Sequence, residues 1–220
     1  PQSTSRDPYY NLLEILTHIR HSEKVFIMKR LLLILILTLS FQSLTKADDL
    51  SDIEIEGISI GDSLLDFVTE SQIMERAFYP YNNNRFYQSG MLSNSFETYE
   101  YLQFNLKKND SEYIIYGISG KIFFENDIKS CLKKKDIVFN EILNLFNKDD
   151  IETSSHNIPH SYDKTGESLI YANDIDMSSG GTIRVYCTDW SNKLSEYLDN
   201  LKVTIGTQEL VDFFNNEAYK

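Results

Sequence analysis

Three groups of residues have the types and spacing of a reactive site. Gly57-Ile58-Ser59-Ile60-Gly61 fits the G-x-S-x-G pattern, in which a sharp strand-to-helix turn exposes a serine nucleophile. Such a turn sits on a parallel sheet already built by upstream strands, and the serine needs a histidine base. Only a short acidic stretch, Asp48 to Glu56, precedes the pattern in the expected mature chain. The downstream segments read as antiparallel meanders. The pattern is therefore read as a chance match, and a small hydrolase using Ser59 stands as the alternative function. His156 and His160 have the i,i+4 spacing that suits a metal on a helix. Pro159 lies between them and breaks a helix, so they read as two loop histidines. Asp174-Ile175-Asp176, with Ser178, Ser179 and Gly180, brings oxygen ligands into a turn. A calcium loop needs more carboxylates at fixed positions and a distal Glu, and turn chemistry explains these residues. No G-x-x-x-x-G-K loop and no dinucleotide fingerprint is present. No catalytic residue, metal ligand or cofactor is assigned.

The two cysteines, Cys131 and Cys187, read as a disulfide. Their even number suits an oxidising compartment. Cys131 lies on the apolar face of the clearest helix, and Cys187 shares a strand face with Ile183 and Val185. The two meet if that helix packs on that sheet. The alternatives are two separate buried thiols, or a thiol–imidazole pair with one of the histidines. Export favours the disulfide.

The signal for export is the segment 28–47. Met28-Lys29-Arg30 is basic, Leu31 to Phe41 is apolar except for Thr38 and Ser40, and Thr45 and Ala47 stand at the −3 and −1 positions of a small-x-small site. Cleavage is expected between Ala47 and Asp48. The apolar run falls short of the roughly 20 residues that span a bilayer, so no stable membrane insertion is expected once it is removed. No twin-Arg pair precedes it, which points to a Sec-type route. No cysteine lies near the junction to carry a lipid. Residues 1–27 begin with Pro1 and are read as translation upstream of Met28, outside the fold, with a longer leader as the alternative. Residues 48–220 then form a single exported domain, periplasmic or secreted.

Composition narrows the partners. The chain carries 21 Lys+Arg and 33 Asp+Glu; residues 1–47 hold 6 basic and 3 acidic of these, leaving 15 and 30, a net of −15, in the exported part. Such a charge repels phosphate backbones and anionic lipid, so no nucleic acid is expected as partner. The one basic cluster, Lys133-Lys134-Lys135, reads as the wet face of a helix. The chain is rich in aromatics, with 14 Tyr and 13 Phe. They read first as core and sheet surface, and second as a Tyr-rich binding face.

The elements follow from periodicity. A strand is expected over Ile53–Glu56. Asp62 or Ser63 caps a helix whose apolar side is Leu64, Leu65, Val68 and Ile73. Residues 79–95 read as an irregular loop or short edge strands. Strands at Thr98–Leu106 and Tyr113–Phe124 form a hairpin, bulged at Gly117 and Gly120. Asp127–Phe146 is a helix. Residues 151–160 read as a polar loop, Glu167–Tyr171 as a strand, and Asn173–Gly181 as a long turn. Strands at Thr182–Cys187 and Leu201–Ile205 and a helix at Gln208–Tyr219 complete the chain. The expected class is α+β, helices packed on an antiparallel sheet, with a doubled helix-then-meander order.

That order, with Ile60-Gly61-Asp62-Ser63-Leu64-Leu65 where the first helix begins, resembles the BamE-like and β-lactamase-inhibitor-like modules of bacterial envelopes. The compact leader and the excess of Ile, Asn, Lys, Tyr and Phe are similar to exported proteins of small-genome marine bacteria. The resemblance is one of architecture and implies location. The expected function is that of a non-enzymatic binding or envelope-associated protein, acting on an unidentified protein or envelope ligand through its sheet face or the 79–95 loop. A structural subunit of an envelope assembly is a further alternative.

Overall fold

The computed structural model describes residues 47, 49–92, 96–194 and 196–220, all within the compact unit Lys46–Lys220. Residues 1–27, Asp48 and all of the 28–47 leader except Ala47 lie outside the described residues. Ala47 donates its N–H to the Leu145 carbonyl at 2.8 Å and packs against the core.

Eight strands form one sheet: β1 (Ala77–Phe78), β2 (Phe86–Leu92), β3 (Tyr101–Lys107), β4 (Ile115–Phe123), β5 (Ile151–Pro159), β6 (Leu169–Met177), β7 (Thr182–Asp189) and β8 (Asn200–Gly206). Every neighbouring pair is antiparallel. The spatial order is β1-β2-β3-β4-β8-β7-β6-β5. The sheet is thus two four-stranded meanders whose last strands, β4 and β8, pair in the middle. Among the described residues three α-helices accompany it: α1 (Glu70–Glu75), α2 (Ile128–Leu143) and α3 (Gln208–Asn216). The fold is α+β, with strands dominating.

Alternation along the strands sorts the side chains onto two faces. One face carries Leu102, Phe104, Ile118, Ile175, Ile183, Val185, Leu201, Val203 and Ile205, all buried. Burying each such side chain is worth about 1.5–3 kcal/mol. Leu50, Ile55, Ile58, Leu64 and Ile73 from the N-terminal segment join the same core, and Ile128, Leu132, Phe139 and Ile142 of α2 pack against it. Cys131 of α2 and Cys187 of β7 are both fully buried there, with their sulfurs 2.00 Å apart. Lys135 departs from the expected wet face. It is buried, its Nζ donating to Asn173 Oδ1 on β6 and pairing with Asp136, each at 2.9 Å.

Several segments differ from expectation for identifiable reasons. Residues 151–159 are not a loop but the edge strand β5. The edge has one neighbour and both of its faces are mostly exposed, so nothing there demands apolar residues; Pro159 falls at its last position, where a missing N–H is tolerated. β6 runs on through Asn173–Met177, with Ile175 and Met177 in the core and Asp174 and Asp176 on the other face. The turn shrinks to the residues around Gly180 and Gly181, at φ 103° and 87°. Ile53–Glu56 makes only a bridge, Ile55 to Ile58, around a turn with Glu56 and Gly57 at φ 55° and 75°. The first helix is broken. Ser63 caps a 3-10 turn at Leu64–Asp66, and a capping box of Thr69 with Gln72 starts α1 afresh. The β3–β4 register shifts between Asn105 and Leu106, placing the bulge at Tyr116, beside Gly117.

Candidate binding face

The second face of the sheet is polar, and α3 covers only one end of it. Leu210 and Phe213 of α3 are fully buried there in a small cluster with Tyr81, Phe86 and Ala218. Glu209 pairs with Arg85 and, at 2.7 Å, with Lys107. Arg85 also reaches Glu217 at 2.8 Å, which ties the helix to the β2–β3 end of the sheet. A cleft of about 300 Å³ runs between Leu210 and Phe214 of α3 and the Asp174, Arg184 and Thr204 side of the sheet.

Beyond α3, the register places Tyr101, Lys121, Lys202 and Tyr186 side by side on β3, β4, β8 and β7. All four are half-buried. The next row is Gln103, Ser119, Thr204 and Arg184. The Tyr101 ring lies over Gly90, where a Cβ would stand 2.0 Å from the phenol oxygen, so a side chain at position 90 would push the ring aside. Lys121 Nζ stands 5.4 Å from the centre of that ring, a cation–π distance. Lys202 Nζ donates to Gln103 Oε1 at 2.9 Å. Gln103 Nε2 donates to Gln88 Oε1 at 2.7 Å, and Gln88 Nε2 donates to the Tyr81 hydroxyl at 2.6 Å. Tyr81 in turn donates to Asn105 Oδ1 at 2.7 Å. This directional chain fixes the Gln103 amide with its oxygen toward the lysine.

The surrounding protein pushes the Lys202 ammonium down to about 8. Lys121 is also held below the usual lysine range, first by burial and then by the nearby Lys202 charge. Burial raises both Tyr101 and Tyr186 above the ordinary phenol value, so both stay protonated at neutral pH. Arg184 is engaged by the buried Asp174 carboxylate, through Nε at 2.6 Å and Nη2 at 2.8 Å. At the end of the sheet away from α3, Trp190 stacks on Tyr197 at 4.6 Å and meets His160 at 4.3 Å.

The residues singled out from the sequence do not converge. The Ser59 hydroxyl donates to the Ile53 carbonyl at 3.2 Å and its N–H to Asp62 Oδ2 at 2.8 Å, a local turn arrangement. Gly61 is bonded to Ile115 beside β4, while His156 lies on β5, four strands away, or about 19 Å at the usual strand spacing. Among the described residues Ser59 is therefore not paired with a histidine. His156 Nδ1 faces Asp174 Oδ2 at 3.7 Å, whereas His160 packs on Trp190 about 13 Å further along extended chain. Asp174 and Asp176 lie within β6 rather than in a turn, Asp174 on Arg184 and Asp176 accepting from the Thr182 hydroxyl at 2.6 Å. Among the described residues no group of three or more His, Cys, Asp or Glu is placed to hold a metal ion. No described helix is long and apolar enough to cross a membrane.

Lys121 and Lys202 escaped the sequence reading because each is one polar residue in an alternating strand. Only the β4–β8 pairing, between strands from different meanders, brings them together. Each follows the strand alternation, with apolar Ile122 and Val203 as the next residues, and that is the one signal available.

The chain matches no protein-family model, no curated protein and no solved structure.

Proposed function

We propose that this protein is an exported, non-enzymatic binding protein that engages an envelope ligand or partner through the open face of its sheet. The observation that carries the reading is the row Tyr101, Lys121, Lys202 and Tyr186, half-buried at the centre of a face that α3 leaves uncovered. Large aromatic and long cationic side chains on a rigid sheet supply contact area and directional donors at low entropic cost. A buried disulfide suits an oxidising compartment, which supports a periplasmic or secreted location. The succession α1, β1–β4, α2, β5–β8 supports two helix-plus-meander units joined at β4 and β8.

The test is site-specific photo-cross-linking in cells exporting the full chain. A cross-linker at Thr182 or Ile170, half-buried on the same face, is expected to give one discrete adduct. A cross-linker at Lys133, on α2, is expected to give none. Equal labelling from both positions, or no adduct from the face, would refute the proposal.

A further inference from the structure

We infer that Lys121 and Lys202 together form a binding site for an oxyanion, a sulfate, phosphate or carboxylate group carried by the ligand, seated between the two ammonium groups on the open face. This rests on the open face being the binding surface, as proposed above, and adds the chemistry that the surface recognises.

The geometry is unusual for structural lysines. The two residues are direct cross-strand partners on the central strands, and like charges directly opposite destabilise a sheet. The chain has 33 Asp+Glu, yet neither lysine takes part in any ion pair of the described residues. Asp174 and Glu209, carboxylates on the same face, are engaged by Arg184 and by Arg85 and Lys107. Lys202 has a neutral amide oxygen as its partner, and Lys121 has the face of a ring. An ammonium carries three donors, and among the described residues Lys202 has the one acceptor Gln103 Oε1 and Lys121 only the ring face, so at least two donors on each lysine have no acceptor there. Ser119 Oγ and Thr204 Oγ1, 3.0 Å apart in the adjoining row, share one hydrogen bond between two hydroxyls and leave a second hydrogen to donate. Two cations and a hydroxyl pair, with no carboxylate among them, match a compact anion by charge and by donor count.

Anion binding here is coupled to protonation, because Lys202 titrates at about 8. The groups that face it are Lys121 on β4, Tyr101 on β3, and Tyr186 and Arg184 on β7. Arg184 is held by Asp174 of β6, which His156 of β5 adjoins. Burial and then the nearby Tyr186 raise the C-terminal Tyr219, and the Lys121 charge acts with burial to hold His160 low. Of these groups, Lys202 is the one that titrates at mildly alkaline pH, while Lys121 is held below the usual lysine range by burial and then by the Lys202 charge.

The test is titration of the protein with sodium sulfate at constant ionic strength, followed by the NMR signals of the lysine ε-methylenes. Sulfate stays a dianion from pH 6 to 9, so any pH dependence belongs to the protein. The expected result is a saturable shift of the Lys121 and Lys202 signals. Affinity is expected to be about tenfold weaker at pH 9 than at pH 7, as the protonated fraction of Lys202 falls from about nine-tenths to one-tenth. Lys121→Met and Lys202→Met each lower the affinity at least tenfold, while Lys133→Met does not. Lys202→Arg, charged throughout this range, binds sulfate without the drop at pH 9, and Trp190 fluorescence verifies that each variant is folded. A shift that does not saturate, one equal in Lys202→Met, or one indifferent to pH would overturn the site. The cross-link from Thr182, outside the oxyanion site, separates the two claims. An adduct retained by a protein that does not bind sulfate defeats the oxyanion site alone, and sulfate binding with no adduct defeats the docking face alone.

Discussion

Replacing Cys131 and Cys187 together by alanine should be the most damaging two-residue change on the covered side of the sheet. The bridge spans a sequence separation of 56, a loop that holds α2 and the strands β5 and β6. Closing a loop of that length removes about 14 cal/mol/K from the unfolded chain, or about 4 kcal/mol at 25 °C. The vacated sulfur positions lie at the bottom of the core, where both residues are fully buried, so loss of packing adds to this figure. Domains of this kind have about 5–15 kcal/mol of stability in all, so a large part is at stake. The assay is equilibrium urea unfolding followed by the single Trp, Trp190. With a slope of about 2–3 kcal/mol/M for this size, the midpoint should fall by about 1.5–2 M. A fall under about 0.5 M at unchanged slope would refute the loop-closure reasoning and show that α2 is held to the sheet by its apolar contacts alone.

Three further outcomes follow from the packing. Gly181→Ala should lower stability by about 3 kcal/mol, or roughly 6 °C or more in Tm, because φ is 87° and the new Cβ would stand 2.6 Å from the Gly206 carbonyl oxygen; calorimetry checks it. Asp163 accepts from the N–H and hydroxyl of both Thr165 and Ser168, which hold its carboxyl well below the usual range. Its stabilisation is therefore fully present above the unfolded value of about 3.9 and lost progressively as pH falls toward the depressed folded value, so the urea midpoints of wild type and Asp163→Asn should differ most at pH 7 and draw together steadily below about pH 4. Lys135→Met should cost about 1–2 kcal/mol by leaving Asn173 Oδ1 short of its partner, while Lys134→Met should be close to neutral by the same urea assay.

Much of the covered side was legible in the sequence. Cys131 on an apolar helix stripe and Cys187 in phase with Ile183 and Val185 were enough to bring two sulfurs together before any topology was known. The long helix and the β3–β4 hairpin could be read from periodicity for the same reason, since one buried face imposes a pattern. Where burial relaxes, the pattern fades. β5 carries Glu152, Ser154 and Asn157 because an edge strand has no second layer to satisfy, and so it looks like a loop. The Asp174-Ile175-Asp176 stretch resembles turn chemistry until Arg184, a register partner on β7, accounts for one of the acids. Lys121 and Lys202 are 81 residues apart, and their meeting depends on which two strands share the centre of the sheet, a property of pairing that no local window contains.

The position of β8 has a consequence for when the molecule can form. The strand that joins the two meanders is the last of the eight to be synthesised. Until residues 200–206 arrive, β4 and β7 each present an unpaired edge, one from each half, and those edges are templates for mispairing with other chains. Completion also demands the longest-range contacts in the sheet, between residues 117–123 and 200–206, which makes closure slow relative to the local hairpins. The time the chain spends as two open half-sheets, before residues 200–206 pair with both β4 and β7, is the interval in which it most needs a chaperone.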